Sequence, residues 1–116
     1  MSMEVLFASV PVADLGVAMG WYEQLFGRVP DIVPNENEVM WCLAGNGWLY
    51  VIHDPARAGK TTVTISVSDL DQFVADLATR KIIAGPIDAI GDAGRKANVV
   101  DPAGNVISWI QVNTRS

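Results

Sequence analysis

The sequence predicts an α+β fold of two βαβββ modules forming a curved mixed sheet, with helices outside and a concave cleft inside. Three observations carry this. The order of strand and helix signals is written twice along the chain. The segment Val10-Pro11-Val12-Ala13-Asp14-Leu15 is answered by Ile65-Ser66-Val67-Ser68-Asp69-Leu70 at an offset of 55 residues. Each half holds one amphipathic helix, enough to cover one face of a small sheet, so the opposite face must line something. With 116 residues, half of them hydrophobic, the chain makes one domain, with module 1 at about 1–56 and module 2 at about 57–116.

In order, residues 5–12 alternate Ala8, Val10 and Val12 with Phe7, Ser9 and Pro11 at the two-residue period of a strand. Pro11 has no backbone donor and belongs near an edge or strand end. Asp14 can cap a helix in which Leu15, Ala18, Met19, Tyr22, Leu25 and Phe26 recur at three and four, with Gly27 as the stop. Gly16 and Gly20 weaken it by about 1 kcal/mol each relative to Ala, so it depends on packing against a sheet. Strands follow at 30–34, 38–43 and 48–53, the last two joined by Gly45-Asn46-Gly47. After a polar connector the pattern returns. A strand at 61–67 leads to Ser68-Asp69, where Ser68 with Asp71 fits a capping box for a helix carrying Leu70, Phe73, Val74 and Leu77. A weak strand signal at 82–89, a strand at 96–100, a type I turn at Asp101-Pro102-Ala103-Gly104 and a strand at 105–112 complete the second module.

Thirteen acidic and eight basic residues leave a net charge of −5, with the basic residues scattered. A nucleic-acid partner needs a basic face and is not expected. The apolar runs are far shorter than a membrane span, so no membrane partner is expected and the chain reads as cytoplasmic and uncleaved. The single cysteine, Cys42, can make neither an internal disulfide nor, without histidine neighbours, a zinc site.

Several residues invite sharper readings. Gly59-Lys60-Thr61 brushes against a phosphate-binding loop, but that motif needs a glycine where Asp54 stands and a helix where a strand follows. His53, the only histidine, sits at a strand end with no orienting partner in its pattern, and reads as a strand-end or surface residue. Cys42 reads as a small hydrophobe rather than a nucleophile, and Arg95-Lys96 as a solvated turn or a charge at a pocket mouth. The aromatic set Phe7, Trp41, Trp48, Tyr50 and Trp109 is the informative one. Strand parity sets Phe7 and Ser9 opposite Val10 and Val12, sets Trp48 and Tyr50 opposite Leu49 and Val51, and places Trp109 on the helix side. If the helix covers Val10 and Val12, Phe7 and Tyr50 point into the concavity. For Trp48 and Tyr50 the same spacing serves an aromatic belt around a pocket or a plug that fills it.

The doubled βαβββ order, the opening Val12-Ala13-Asp14-Leu15 with Trp21-Tyr22-Glu23-Gln24-Leu25-Phe26-Gly27, and the closing Asp101-Pro102-Ala103-Gly104-Asn105-Val106-Ile107 together resemble the vicinal oxygen chelate superfamily, which includes glyoxalase, bleomycin-resistance and extradiol dioxygenase relatives. The resemblance spans essentially the whole chain. In metal-dependent relatives it implies a His on the first strand and a Glu on the last strand of each module. Those positions here fall at Phe7, Tyr50, Thr62 and Ser108. None is a good ligand for a divalent cation, so the resemblance implies a metal-free member with no cofactor. Expected is a small-molecule-binding protein whose aromatic cleft takes a flat, apolar or aromatic ligand, with Phe7, Trp48, Tyr50, Thr62 and Ser108 lining one cavity and the hydroxyls orienting the ligand. A homodimer is expected, because relatives of this size pair and an open sheet leaves apolar surface to cover. Two other readings stay open. One is a lyase, isomerase or dioxygenase with non-standard catalytic residues, Glu38 and His53 among the candidates; the other is a partner-binding module with a plugged cleft. Whether the chain is an enzyme is left open by the sequence.

Overall fold

The computed structural model describes residues 2–113. Module 1 runs β1 (Leu6–Val12), α1 (Leu15–Phe26), β2 (Ile32–Asn35), β3 (Glu38–Ala44) and β4 (Gly47–His53). Module 2 runs β5 (Thr62–Ser66), α2 (Leu70–Thr79), β6 (Asp88–Ile90), β7 (Gly94–Val100) and β8 (Val106–Val112). The strand orders are β1-β4-β3-β2 and β5-β8-β7-β6. In each module the first strand pairs in parallel with the last, and the other pairings are antiparallel. The repeat read from the letters is thus a repeat of topology, with the mixed sheet divided into two four-stranded halves.

Both helices begin where an aspartate side chain takes up a free backbone donor. Asp14 accepts from the Val17 N–H at 3.1 Å and Asp69 from the Gln72 N–H at 3.1 Å. Gly27 ends α1 in the left-handed conformation, its N–H returning to the Glu23 carbonyl. Parity does the rest. Val10, Val12, Trp41, Leu49 and Val51 turn toward α1, where Ala18, Tyr22 and Leu25 bury them. Ala97, Val99, Ile107 and Trp109 turn toward α2, which supplies Leu70, Leu77 and Phe73, the Phe73 ring 4.3 Å from Trp109 between centroids.

The Asp-Pro-x-Gly-Asn segment is the clamp between the modules. Asp101 and Asn105 are both buried. The Asp101 carboxylate accepts from the Ala103 N–H (2.9 Å), the Asn105 N–H (2.8 Å), the Asn105 Nδ2 (2.9 Å) and, from the other module, the Tyr22 hydroxyl (2.8 Å). Asn105 Nδ2 also donates to the Pro11 carbonyl at 2.7 Å, and its Oδ1 accepts from the Thr61 N–H. Burial, and then the neighbouring Asp101 carboxylate, pushes the Tyr22 phenol well above its ordinary pKa. The connector lies tight against this turn, since a Cβ at Gly59 would collide with the Ala103 carbonyl oxygen, and Gly59 has a positive φ of 81°. Thr62 then opens a strand, as expected from the sequence, so the Gly-Lys-Thr stretch is no phosphate loop.

Some local expectations are corrected. The cap of α2 is Asp69 rather than Ser68, and Asp71 closes no capping box; it faces Arg95 in a two-pronged ion pair at 2.8 and 3.2 Å. The second strand begins at Ile32, not Pro30; just before it the Asp31 carboxylate, its pKa lowered by the Arg28 hydrogen bond, accepts from the Cys42 N–H. Residues 82–89 contribute strand only from Asp88, since Lys81 takes a positive φ of 64° and the Ile82 N–H returns to Leu77 at the helix end. β7 starts two residues early, at Gly94, where a side chain would strike the Gln111 carbonyl.

Candidate functional site: the uncovered sheet faces

Each helix covers one face of its sheet, and the residues of opposite parity form the other face. In module 1 the register sets Phe7 beside Trp48 and Cys42, Ser9 beside Tyr50 and Met40, and Pro11 beside Ile52 and Glu38. Three rings gather there: Phe7 and Trp48 have centroids 6.1 Å apart, and Phe7 meets Tyr50 edge-on at 6.4 Å. Phe7 is 50% exposed, and Trp48 and Tyr50 are half-buried. An aromatic cluster open on one side is unusual for a finished core, where rings are covered.

In module 2 the corresponding face carries hydroxyl and amide groups. Thr62 pairs with Val106, Thr64 with Ser108, and Ser108 with Asn98. Thr62 is exposed, and Ser108 is buried between its two neighbours. Phe7 and Tyr50 stand to each other as Thr62 and Ser108 do: in both modules the first residue pairs two positions before the second. Phe7, Trp48 and Tyr50 are therefore brought together on one sheet, and Thr62 and Ser108 on the equivalent face of the other. A cavity of about 240 Å³ between the modules is walled by Leu6, Ala8, Trp48, Leu49, Val63 and Thr64, and of the five residues expected to share one cavity only Trp48 lines it. Ser9, Met40, Thr64 and Asn98 share these faces and were findable by parity alone.

The remaining candidates separate. Trp41 and Trp109 lie on the helix sides, Trp41 bonding the Arg28 carbonyl through Nε1. Cys42 is half-buried with its Sγ on the Gly45 carbonyl. Glu38 pairs with Ile52 on the open face, whereas the next residue, His53, is exposed at the strand end with opposite parity, so the two form no acid-base pair. Arg95 is held by Asp71.

The donor set fits no divalent ion. Phe7 offers a ring, and Tyr50, Thr62 and Ser108 offer hydroxyls. Among the described residues, no three His, Cys, Asp or Glu side chains gather as a metal site.

No family model matches the chain, and no curated protein matches it. Solved structures do. A glyoxalase/bleomycin resistance protein from Catenulispora acidiphila is 33% identical over 96% of this chain and all of its own, with a TM-score of 0.88. An antibiotic-binding protein from a Streptomyces species, TnmS3, is 24% identical over 97% of this chain and 98% of its own, at 0.78. A bleomycin-binding protein of Streptomyces verticillus, complexed with copper(II)-bleomycin, is 18% identical over 97% and 99%, at 0.79. The doubled βαβββ architecture is that of the vicinal oxygen chelate superfamily, and within it the chain belongs to the glyoxalase/bleomycin resistance protein family.

Proposed function

We propose that the protein binds a small molecule with a flat aromatic part, holding it on the uncovered sheet faces without a catalytic metal. The observation that carries this is the Phe7-Trp48-Tyr50 cluster, packed ring to ring yet open on one side. Rings fixed by strand pairing present a rigid stacking surface at little entropic cost. Tyr50, Thr62 and Ser108 offer neutral hydrogen-bonding groups that orient the guest. The likeness to antibiotic-binding and bleomycin-binding folds supports this class of ligand.

The reading includes a homodimer. Leu6 and Phe7 leave apolar surface on β1, and a second copy would set the aromatic face of one chain against the hydroxyl face of its partner. Light scattering after size exclusion is expected to give twice the chain mass, 12.5 kDa, at micromolar concentration. A monomer there would remove the shared cleft.

Direct titration with bleomycin and a panel of planar aromatic antibiotics, followed by tryptophan fluorescence and calorimetry, tests the binding itself. Saturable binding by at least one planar compound is expected. Elemental analysis of purified protein is expected to show less than stoichiometric divalent metal, with no glyoxalase activity when nickel, zinc or manganese is supplied. About one tightly bound ion per chain would overturn the metal-free reading.

A further inference from the structure

A second cleft lies on the helix side, away from the aromatic face, where the C-terminal end of α1 meets α2 and β5. It has a volume of about 240 Å³, and Leu25, Phe26, Leu43, Ile65 and Phe73 supply apolar walls. Side chains with polar groups, Trp109, Arg80, Arg28 and Ser66, break that lining. Trp109 forms part of the wall, is 3% exposed, and its indole Nε1–H has no acceptor. That nitrogen is closed off from solvent, so the indole meets the cleft through its ring. Arg80 borders the same cleft. Its Nε and Nη2 donate to the carbonyls of Gln24 (2.8 Å) and Leu25 (3.0 Å), and among the described residues no carboxylate pairs with it. Arg28, the other cation at the rim, is already held by Asp31. Ser66 adds a hydroxyl at the edge.

We propose that this inter-module cleft is a binding site for a small aromatic monocarboxylate. Its ring would lie among Phe26, Ile65 and Phe73, beside the Trp109 indole, and its carboxylate would take hydrogen bonds from Arg80. A guanidinium with donors to spare recognises a planar anion in preference to a neutral group. The volume suits a single-ring compound, since the known ligand cavities that hold drug-sized molecules begin at roughly 300 Å³. The cleft shares Leu43, Ala44, Ile65 and Ser66 with the cavity beside Trp48, but Phe7, Trp48, Tyr50, Thr62 and Ser108 do not line it.

The test uses phenylacetate as the probe and 2-phenylethanol as its neutral counterpart, followed by ¹⁵N-resolved NMR of the four indole N–H signals, with Trp109 assigned through Trp109→Phe. The expected result is a saturable shift of the Trp109 signal by phenylacetate and at least tenfold weaker binding of 2-phenylethanol. Arg80→Gln is expected to weaken phenylacetate binding about tenfold or more. Because Arg80 also holds the end of α1, Ala44→Phe provides a second variant. Ala44 is exposed and lines the cleft, so the substitution adds bulk at the wall and keeps the Arg80 bonds to Gln24 and Leu25. This variant is expected to keep its fold and lose the shift. No shift at Trp109, a shift at Trp48 alone, equal binding of acid and alcohol, or undiminished binding to folded Ala44→Phe would each overturn the proposal.

Discussion

Asp101→Ala is expected to cost the fold about 3–5 kcal/mol, read as a fall in the midpoint of urea unfolding at unchanged slope. The carboxylate is buried and accepts four hydrogen bonds, so its removal strands two backbone N–H groups, the Asn105 amide and the Tyr22 hydroxyl at once. Losing one partner of a buried charged network is worse than losing a surface pair, because the remaining donors keep their desolvation cost. Tyr22→Phe removes one donor and leaves the turn intact, for a loss of about 1.5 kcal/mol. The two variants also differ from each other in alkali. The folded state holds the Tyr22 phenol proton far more tightly than the unfolded chain, whose phenol titrates near pH 10. Its contribution is therefore complete below about pH 10 and is lost as pH rises beyond that, at about 1.4 kcal/mol per unit. Tyr22→Phe is expected to remove this part of the alkaline slope. A loss below about 1 kcal/mol in Asp101→Ala would show that the modules are clamped by something else.

Tyr50→Ala is expected to weaken binding of whichever planar compound the panel yields by about 1–3 kcal/mol, through lost contact area and ring stacking. The fold is expected to tolerate the change, because Tyr50 lies half-buried on the face that no helix covers. Calorimetry gives the affinity and circular dichroism checks the fold. Phe7→Ala serves as the companion, since Phe7 touches both Trp48 and Tyr50. Unchanged affinity in both variants would remove the aromatic face from the binding site and leave the partner-binding module in its place. Ser108→Glu is expected to restore no metal chemistry, because Phe7 and Thr62 would still supply no imidazole.

Parity and repetition made much of the molecule readable. The alternation of Val10 and Val12 with Phe7 and Ser9 foretold which residues α1 buries. The caps Asp14 and Gly27 marked the helix ends because each meets a local need, a free donor at one end and a positive φ at the other. The placements that slipped had local and distant causes. Asp69, one residue on from Ser68, caps α2, and the turn at Lys81 delays β6. The Asp71 pair with Arg95 and the Asp31 bond to Cys42 join residues 24 and 11 apart, which no short window of sequence shows.

The sequence alone determined the doubled βαβββ order, which residues of the first and fourth strands share a face, and the lack of imidazole and carboxylate at the four positions the resemblance assigns to metal. These follow from period, capping chemistry and side-chain type, all of which act over a few residues. Tertiary structure alone decided that Tyr22 docks on Asp101 79 residues away, that Asn105 reaches Pro11, and that Arg80 and the unpaired Trp109 indole border a cleft between the modules. Such contacts depend on how one module packs against the other. That packing is set by the shapes of two finished surfaces, which no periodicity in the chain encodes.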